Sequence, residues 1–354
     1  MRIETSFSTI IISTTVQSVI KRFLDESDYS KVFILVDENT KKHCLPHIQT
    51  NHLLDNAKII EIRSGELNKS IETIINIWTF LTRHHADRNS VLINLGGGII
   101  GDMGGFAAST FKRGIDFVNI PTTLLSQVDA SAGGKTGINF LALKNEIGVF
   151  SHPKNVFIDS HFLKTLDKRN ILSGWAEMIK HTLIFNQQDF EHLIQHNITT
   201  INFNTLNQLI ARSVQIKNHY VESDPQEKGM RKALNFGHTF GHAFESFFMD
   251  KKSRLLHGEA VALGMLCEIY LSSRLCNFPA NKMTQIVRYI LNIFSKPNIP
   301  EKNKETILEL IGHDKKNKGT VLHFTLLEDF GKIKINQHCS KNQMLETLKW
   351  YNTL

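Results

Sequence analysis

Long apolar runs, paired cysteines and clustered charge are all missing from this chain, and each absence narrows what it does. No stretch approaches the length needed to span a bilayer. Ile10-Ile11-Ile12 is too short for the core of a secretory signal, and an acid, Glu4, stands just ahead of it, so no leader is expected. Cys44, Cys267, Cys276 and Cys339 lie far apart with no C-x-x-C pair, which argues against a zinc ribbon or a disulfide scaffold and for a reducing, cytoplasmic setting. Internal repeats and low-complexity linkers are lacking as well. The net charge of +7 would suit nucleic acid, but Lys and Arg occur as scattered singles and short doublets such as Lys41-Lys42. An anionic small molecule is therefore the expected partner, with neither nucleic acid nor membrane.

Length and histidine are what the chain does have. A chain of 354 residues exceeds one ordinary core, so two domains are expected, and 41% hydrophobic with 21% charged residues is the composition of a globular protein. Seventeen histidines make a metal or proton-transfer site worth seeking. In the first half, β-branched runs at 32–36, 59–62, 91–95, 117–120 and 156–158 alternate with helical spacing such as that over 71–84. That alternation predicts a largely parallel sheet with ligands at the carboxyl ends of its strands. Beyond about residue 160, helical patterns dominate (171–185, 206–221, 233–249, 258–275), and no strand-like run returns until 321–324. The expected organisation is an α/β nucleotide-binding domain over 1–158 and a mainly helical metal- and substrate-binding domain over 159–354.

Directly behind the run 91–95 comes Gly96-Gly97-Gly98-Ile99-Ile100-Gly101-Asp102, which satisfies G-x-G-x-x-G. Glycines between a strand and a helix let backbone amides approach a phosphate at the helix N-terminus. An ordinary dinucleotide unit places its ribose acid about twenty residues later. Here the following strand instead ends in Pro121-Thr122-Thr123, and the acid at a strand end is the earlier Asp37. Lys112-Arg113-Gly114 and Asp129-Ala130-Ser131-Ala132-Gly133-Gly134-Lys135 add a second glycine-rich, basic turn, so two phosphates bound close together are expected.

The string Asn235-Phe236-Gly237-His238-Thr239-Phe240-Gly241-His242 sets two histidines four apart on one helical face. His257-Gly258-Glu259 opens the next helix, and Glu177 stands beside Lys180 in an otherwise apolar turn. One Glu and two His with an open position is a catalytic zinc pattern, and His238, His242 and His257 are all eligible by spacing. Lys135, Lys144-Asn145, Lys180, Lys217, Arg231, Asn235 and Lys315 lie next to glycine turns or helix starts, the donors that a bound phosphate and carboxylate need.

Together these ordered motifs resemble the 3-dehydroquinate synthase family of sugar-phosphate cyclases over most of the chain. Gly65-Glu66 with Lys69, Gly96 to Asp102, Asp129 to Thr136, Lys144-Asn145, Glu177 to His181, Asn235 to His242, His257 to Ala260 and His313 to Lys316 carry the likeness. The resemblance implies a nucleotide-binding α/β domain followed by a helical metal domain. It implies metal ligation by Glu177, His238 and His257, with Zn2+ or Co2+. NAD contacts then fall to Asp37, Glu66, Lys69, Gly97, Gly98, Ile99, Asp102, Thr122, Thr123, Leu125, Phe162, Thr165 and Leu166, shared at Asp129, Lys135 and Lys144 with the substrate. Catalytic and substrate contacts fall to Asp129, Lys135, Lys144, Asn145, Lys180, Lys217, Arg231, Asn235, His242 and Lys315 (or Lys316). Arg113 would reach the phosphate in a neighbouring subunit, implying a homodimer. The implied substrate is a phosphorylated sugar acid, 3-deoxy-D-arabino-heptulosonate 7-phosphate. Weighed against this are a cyclase for sedoheptulose 7-phosphate or glucose 6-phosphate, a metal-dependent polyol dehydrogenase, and a scaffold protein that has lost its chemistry. Asp129, Lys217, Arg231 and Asn235 disfavour the first, the phosphate-type donors the second, and the complete set of ligands and lysines the third.

Overall fold

The computed structural model describes residues 1–50, 54–129, 133–141, 143–249, 251, 254–312 and 322–354. The chain divides into two compact units, Met1–Asp167 with Asn202–Asn218, and Lys168–Ile201 with His219–Leu354.

The first unit is built on a seven-stranded sheet. Its strands are β1 (Arg2–Glu4), β2 (Thr9–Ile12), β3 (Val32–Asp37), β4 (Lys58–Ile62), β5 (Val91–Gly96), β6 (Asp116–Pro121) and, after a separate hairpin of β7 (Lys135–Phe140) and β8 (Leu143–Phe150), β9 (Asn155–Ile158). The order is β1-β2-β9-β6-β5-β3-β4, parallel throughout except for the antiparallel β1–β2 edge pair. Successive residues of a strand point to opposite faces. Phe33 and Leu35 accordingly join one buried cluster with Ile74, Ile77 and Leu81, whereas Ile34 and Val36 join another with Ile93 and Leu95. Both faces are covered, which is why these parallel strands read as unbroken apolar runs. Ile10-Ile11-Ile12, unremarkable as a sequence, is the sheet strand β2 pairing with β9.

Strand order also explains the reversed dinucleotide pattern. From β3 the chain moves outward to β4, then returns to place β5 on the other side of β3. The order therefore switches between β3 and β5, and the carboxyl ends flanking that crevice are Asp37 and Gly96. A ligand crevice forms at such a switch whichever strand carries the acid. The helix Gly98–Thr110 crosses the sheet so closely that a Cβ at Gly104 would lie 1.8 Å from Asn94 Oδ1.

The second unit is mainly helical, around the helix His257–Leu275, which is buried on all sides from Ala260 to Ser272. A hairpin of β10 (Phe324–Asp329) and β11 (Lys332–Gln337) is its only sheet among the described residues. The helical pattern over 233–249 is interrupted: a 3-10 turn spans Met230–Asn235, and the α-helix starts at His238. Gly237 breaks it with φ +81, a left-handed conformation, where a Cβ would meet Met265 Cγ at 2.5 Å. The expected strand at 321–324 begins at Phe324 within the described residues, and Val321 lies outside them. No described helix is long and apolar enough to cross a membrane.

None of the four cysteines is in a disulfide. Burial pushes the Cys44 thiol up to about 11 and the Cys339 thiol up to about 12, and raises those of Cys267 and Cys276. At pH 8 the folded chain is expected to react with an aromatic disulfide reagent far more slowly than the urea-unfolded chain, which should release four equivalents. A fast reaction of any thiol in the folded chain would contradict that burial.

Candidate active site

The glycine turn and the basic hairpin lie in the first unit. Gly97 caps the helix Gly98–Thr110 without a side chain, so no described side chain occupies the amides of its first turn. A Cβ on Gly97 would come within 3.3 Å of the Thr123 methyl, and Thr122 N–H donates to Gly96 O at 3.0 Å. This is a bare helix N-terminus hemmed by the next strand end, which fits a pyrophosphate. Thr123 caps the short helix Leu124–Val128, which carries Leu125. Asp37 accepts from Thr40 N–H at 2.8 Å and so caps the helix Glu38–His43. Phe162 and Thr165 lie on the 3-10 turn Ser160–Thr165 that follows β9, with Leu166 next to it.

Lys69 is buried and donates to Asp102 Oδ2 at 2.6 Å and to Asn145 Oδ1. Burial pushes the Asp102 carboxyl up, and the Lys69 ammonium opposes that rise. Glu66 accepts from Asn139 Nδ2 at 2.8 Å, and Asn145 N–H donates to Asn139 Oδ1 at 2.9 Å. Lys217, on the helix Phe203–Ser223, is buried and pairs with the Asp129 carboxylate at 2.9 Å. Lys135 and Lys144 stand exposed on β7 and β8. Arg113 is not among them. It follows Lys112 through a left-handed turn (φ +50 and +71) and lines a surface hollow with Arg88, Tyr29 and Asp116.

The metal-ligand pattern lies in the second unit. Glu177, fully buried on the helix Lys168–Phe185, has both His238 Nε2 and His257 Nε2 at 3.7 Å from its Oε1. Each ring is turned by its other nitrogen: His257 Nδ1–H donates to Glu245 Oε2 at 3.0 Å, and His238 Nδ1–H to Phe236 O at 3.2 Å. A carboxylate and a carbonyl only accept, so each Nδ1 carries a proton, and Nε2, turned toward Glu177, is the nitrogen each ring can offer a metal. Neither Glu177 oxygen receives a hydrogen bond among the described residues, and its ion-pair partner is the buried Lys180. A buried carboxylate whose Oε1 faces two imidazole Nε2 atoms fits a tetrahedral divalent metal with one position left open. His242 stands one turn after His238, its ring centroid 5.3 Å from that of His238 and 5.9 Å from that of His257.

Two details hold this geometry. Gly258 N–H donates to Ser173 Oγ at 2.9 Å, and Arg169 grips Glu259 through Nε at 2.8 Å and Nη2 at 2.6 Å. Gly258→Ala would set a Cβ 1.9 Å from Ser173 O and drive the helix of His257 off that of Glu177. The expected cost is about 1–3 kcal/mol, read from the urea midpoint, together with weakened metal binding. An unchanged midpoint would mean that the two helices are not held by this contact. Glu268, buried in the next turns, accepts from the N–H groups of Gly237 at 2.6 Å and Thr239 at 3.0 Å and so fixes the start of the His238 helix. Arg231 donates to Pro225 O at 2.8 Å and Asn235 to Glu227 Oε1 at 2.9 Å, both toward the 224–227 turn. Lys315 and Lys316 lie outside the described residues.

Residues 59–173 match the family model described as 3-dehydroquinate synthase N-terminal, and residues 174–317 match 3-dehydroquinate synthase C-terminal. The chain belongs to the 3-dehydroquinate synthase family. Among its relatives, a 3-dehydroquinate synthase of Parabacteroides distasonis is 48% identical over 97% of both chains. One of Clostridium tetani is 37% identical over 96% of this chain and 91% of its own. By structure the chain is similar to a 2-deoxy-scyllo-inosose synthase solved with carbaglucose-6-phosphate, NAD+ and Co2+ (TM-score 0.88, 22% identity, 99% of each chain). It is also similar to a 2-epi-5-epi-valiolone synthase of Streptomyces hygroscopicus subsp. jinggangensis, solved with NAD+ and Zn2+ (TM-score 0.85, 22% identity, 99% of this chain and 98% of the other). At that identity the likeness concerns the fold, a parallel-dominated sheet followed by a mainly helical part.

Three residues of this family member escaped the sequence reading. Glu268 had a signal, a lone acid inside an apolar helix. Glu245 had a weaker one, three residues after His242. Asn139 had none, because its partners come from elsewhere in the chain.

Proposed function

We propose that the chain is a 3-dehydroquinate synthase, converting 3-deoxy-D-arabino-heptulosonate 7-phosphate to 3-dehydroquinate and inorganic phosphate in the shikimate pathway. The observation that carries the chemistry is the buried Glu177 carboxylate facing the Nε2 atoms of His238 and His257. When bound, NAD+ supplies reversible hydride transfer at C5 of the sugar acid, and a Zn2+ or Co2+ ion supplies Lewis acidity toward the C5 hydroxyl.

Glu177, His238 and His257 hold the ion. The bare amides at Gly97, Gly98 and Ile99 receive the NAD pyrophosphate, while Asp37, Glu66, Lys69, Asp102, Thr122 and Thr123 fix the rest of the dinucleotide. Lys135, Lys144, Asn145 and His242 bind the substrate phosphate. A ketone at C5 acidifies the neighbouring C6 proton, so that phosphate leaves by β-elimination with one of its own oxygens as the base. Those donors stabilise the departing anion by charge-assisted hydrogen bonds. Lys180, Lys217, Arg231 and Asn235 receive the carboxylate and ring hydroxyls, with Asp129 orienting Lys217. Once the ketone is reduced again, the released enol pyranose opens and closes by intramolecular aldol addition. The net reaction is a lyase reaction, because NAD+ is regenerated in each turnover. Arg113 completes the phosphate site of a second copy in a homodimer, and the enzyme works in the cytoplasm.

Purified protein with the sugar acid phosphate, NAD+ and Zn2+ should release phosphate without accumulating NADH and stop on chelation. Steady NADH growth without phosphate would overturn the reading in favour of a dehydrogenase. Phosphate release from sedoheptulose 7-phosphate but not from the sugar acid would reassign the substrate.

A further inference from the structure

Asn139 belongs to neither the dinucleotide set nor the phosphate set, yet it is bonded to both. Its side-chain Nδ2 donates to Glu66 Oε1 at 2.8 Å, and its Oδ1 accepts from Asn145 N–H at 2.9 Å. Its main-chain N–H donates to Lys69 O at 2.9 Å. The ring closes through Lys69 Nζ, which donates to the Asn145 side chain and to Asp102. One amide thus ties the turn Glu66–Asn68 and the following Lys69 to the first residues of β8.

Asn145 also has φ +51. Asparagine adopts that left-handed conformation more readily than other non-glycine residues, and here both its N–H and its side chain are also bonded. Asn139 Oδ1 and Lys69 Nζ are the groups that grip Asn145, one at its N–H and the other at its side chain. A primary amide suits the linking position because it must donate to a carboxylate at one end and accept from an N–H at the other. A carboxylate would repel Glu66, and an apolar side chain would release both ends.

We propose that Asn139 is a positioning residue that couples the two ligands: with Glu66 and Lys69 held by NAD+, Asn139 holds Asn145 in place for phosphate. The proposal rests on the assignment of Glu66 and Lys69 to NAD+ and of Lys144 and Asn145 to phosphate. Coupling of this kind is reciprocal, so each ligand tightens the other.

The test is NAD+ affinity by calorimetry, with and without saturating inorganic phosphate, on the metal-loaded full chain. Phosphate should tighten NAD+ by about fivefold or more in the unaltered protein. In Asn139→Ala the ratio should fall to within about twofold of one, whatever NAD+ affinity in phosphate-free buffer loses through the loosened Glu66. Asn139→Asp keeps the acceptor for Asn145 N–H and loses the donor to Glu66. It should therefore retain phosphate binding and lose the coupling, and it carries the test if the alanine variant folds poorly. An unaltered ratio in Asn139→Asp, or no effect of phosphate in the unaltered protein, overturns the role of Asn139 while catalytic turnover leaves the functional reading intact. An unaltered protein that binds neither ligand and releases no phosphate from the sugar acid overturns both.

Discussion

His257→Ala is expected to weaken Zn2+ binding by more than about 100-fold, the upper end of what losing a mere outer-sphere partner costs. Turnover should fall with it. His257 is the first residue of its helix and its side chain is 32% exposed, so removing the ring leaves no sealed cavity and the metal-free fold should survive. Glu177→Gln should lose metal as completely but for a different total cost. Lys180 is buried one turn away and paired with that carboxylate, so the amide would strand a buried ammonium, at about 3–5 kcal/mol for breaking such a pair. Metal content after dialysis separates ligand loss from the folding cost, and urea unfolding in chelator measures the latter. Full metal stoichiometry and normal turnover in His257→Ala would sink the ligand assignment.

Lys135→Ala is expected to lower phosphate release about 100- to 1000-fold, the scale on which one donor aimed at developing charge matters. NAD+ affinity should fall far less. Lys135 opens β7 and is exposed rather than part of the core, and an exposed strand position costs little stability as alanine. The strand itself stays anchored: Thr136 packs where a Cβ on Gly105 would lie only 2.5 Å from its methyl, fixing the base of the hairpin on the glycine helix. Single-turnover phosphate release beside equilibrium NAD+ binding checks this, and equal losses in both would contradict a phosphate role.

How much of this was legible depended on chain distance. Gly96 to Asp102 announced itself because a strand, a glycine turn and a helix start are contiguous. The pair His238 and His242 was equally local, but spacing left three histidines eligible, and only the fold shows the His238 and His257 Nε2 atoms each 3.7 Å from Glu177 Oε1. The helical pattern over 233–249 does not report the break at Gly237, which packs against Met265 and Val261 of another helix. Lys69 meets Asn145 across 76 residues and Lys217 meets Asp129 across 88, and no periodicity reports such pairings. The ring through Asn139 was invisible for the same reason.

By itself the sequence determined the element types, the alternation that makes a parallel sheet, the bare glycine turn and the inventory of ligands and cations, because these follow from side-chain chemistry and short-range periodicity. Only the tertiary structure decided the strand order that sets Asp37 and Gly96 at one switch point, the orientation of each imidazole by Glu245 and the Phe236 carbonyl, and the bonding of Asn139 to Glu66 and Asn145. Such contacts form only once distant segments share one packed core, and their geometry is set by that packing rather than by the spacing of residues along the chain.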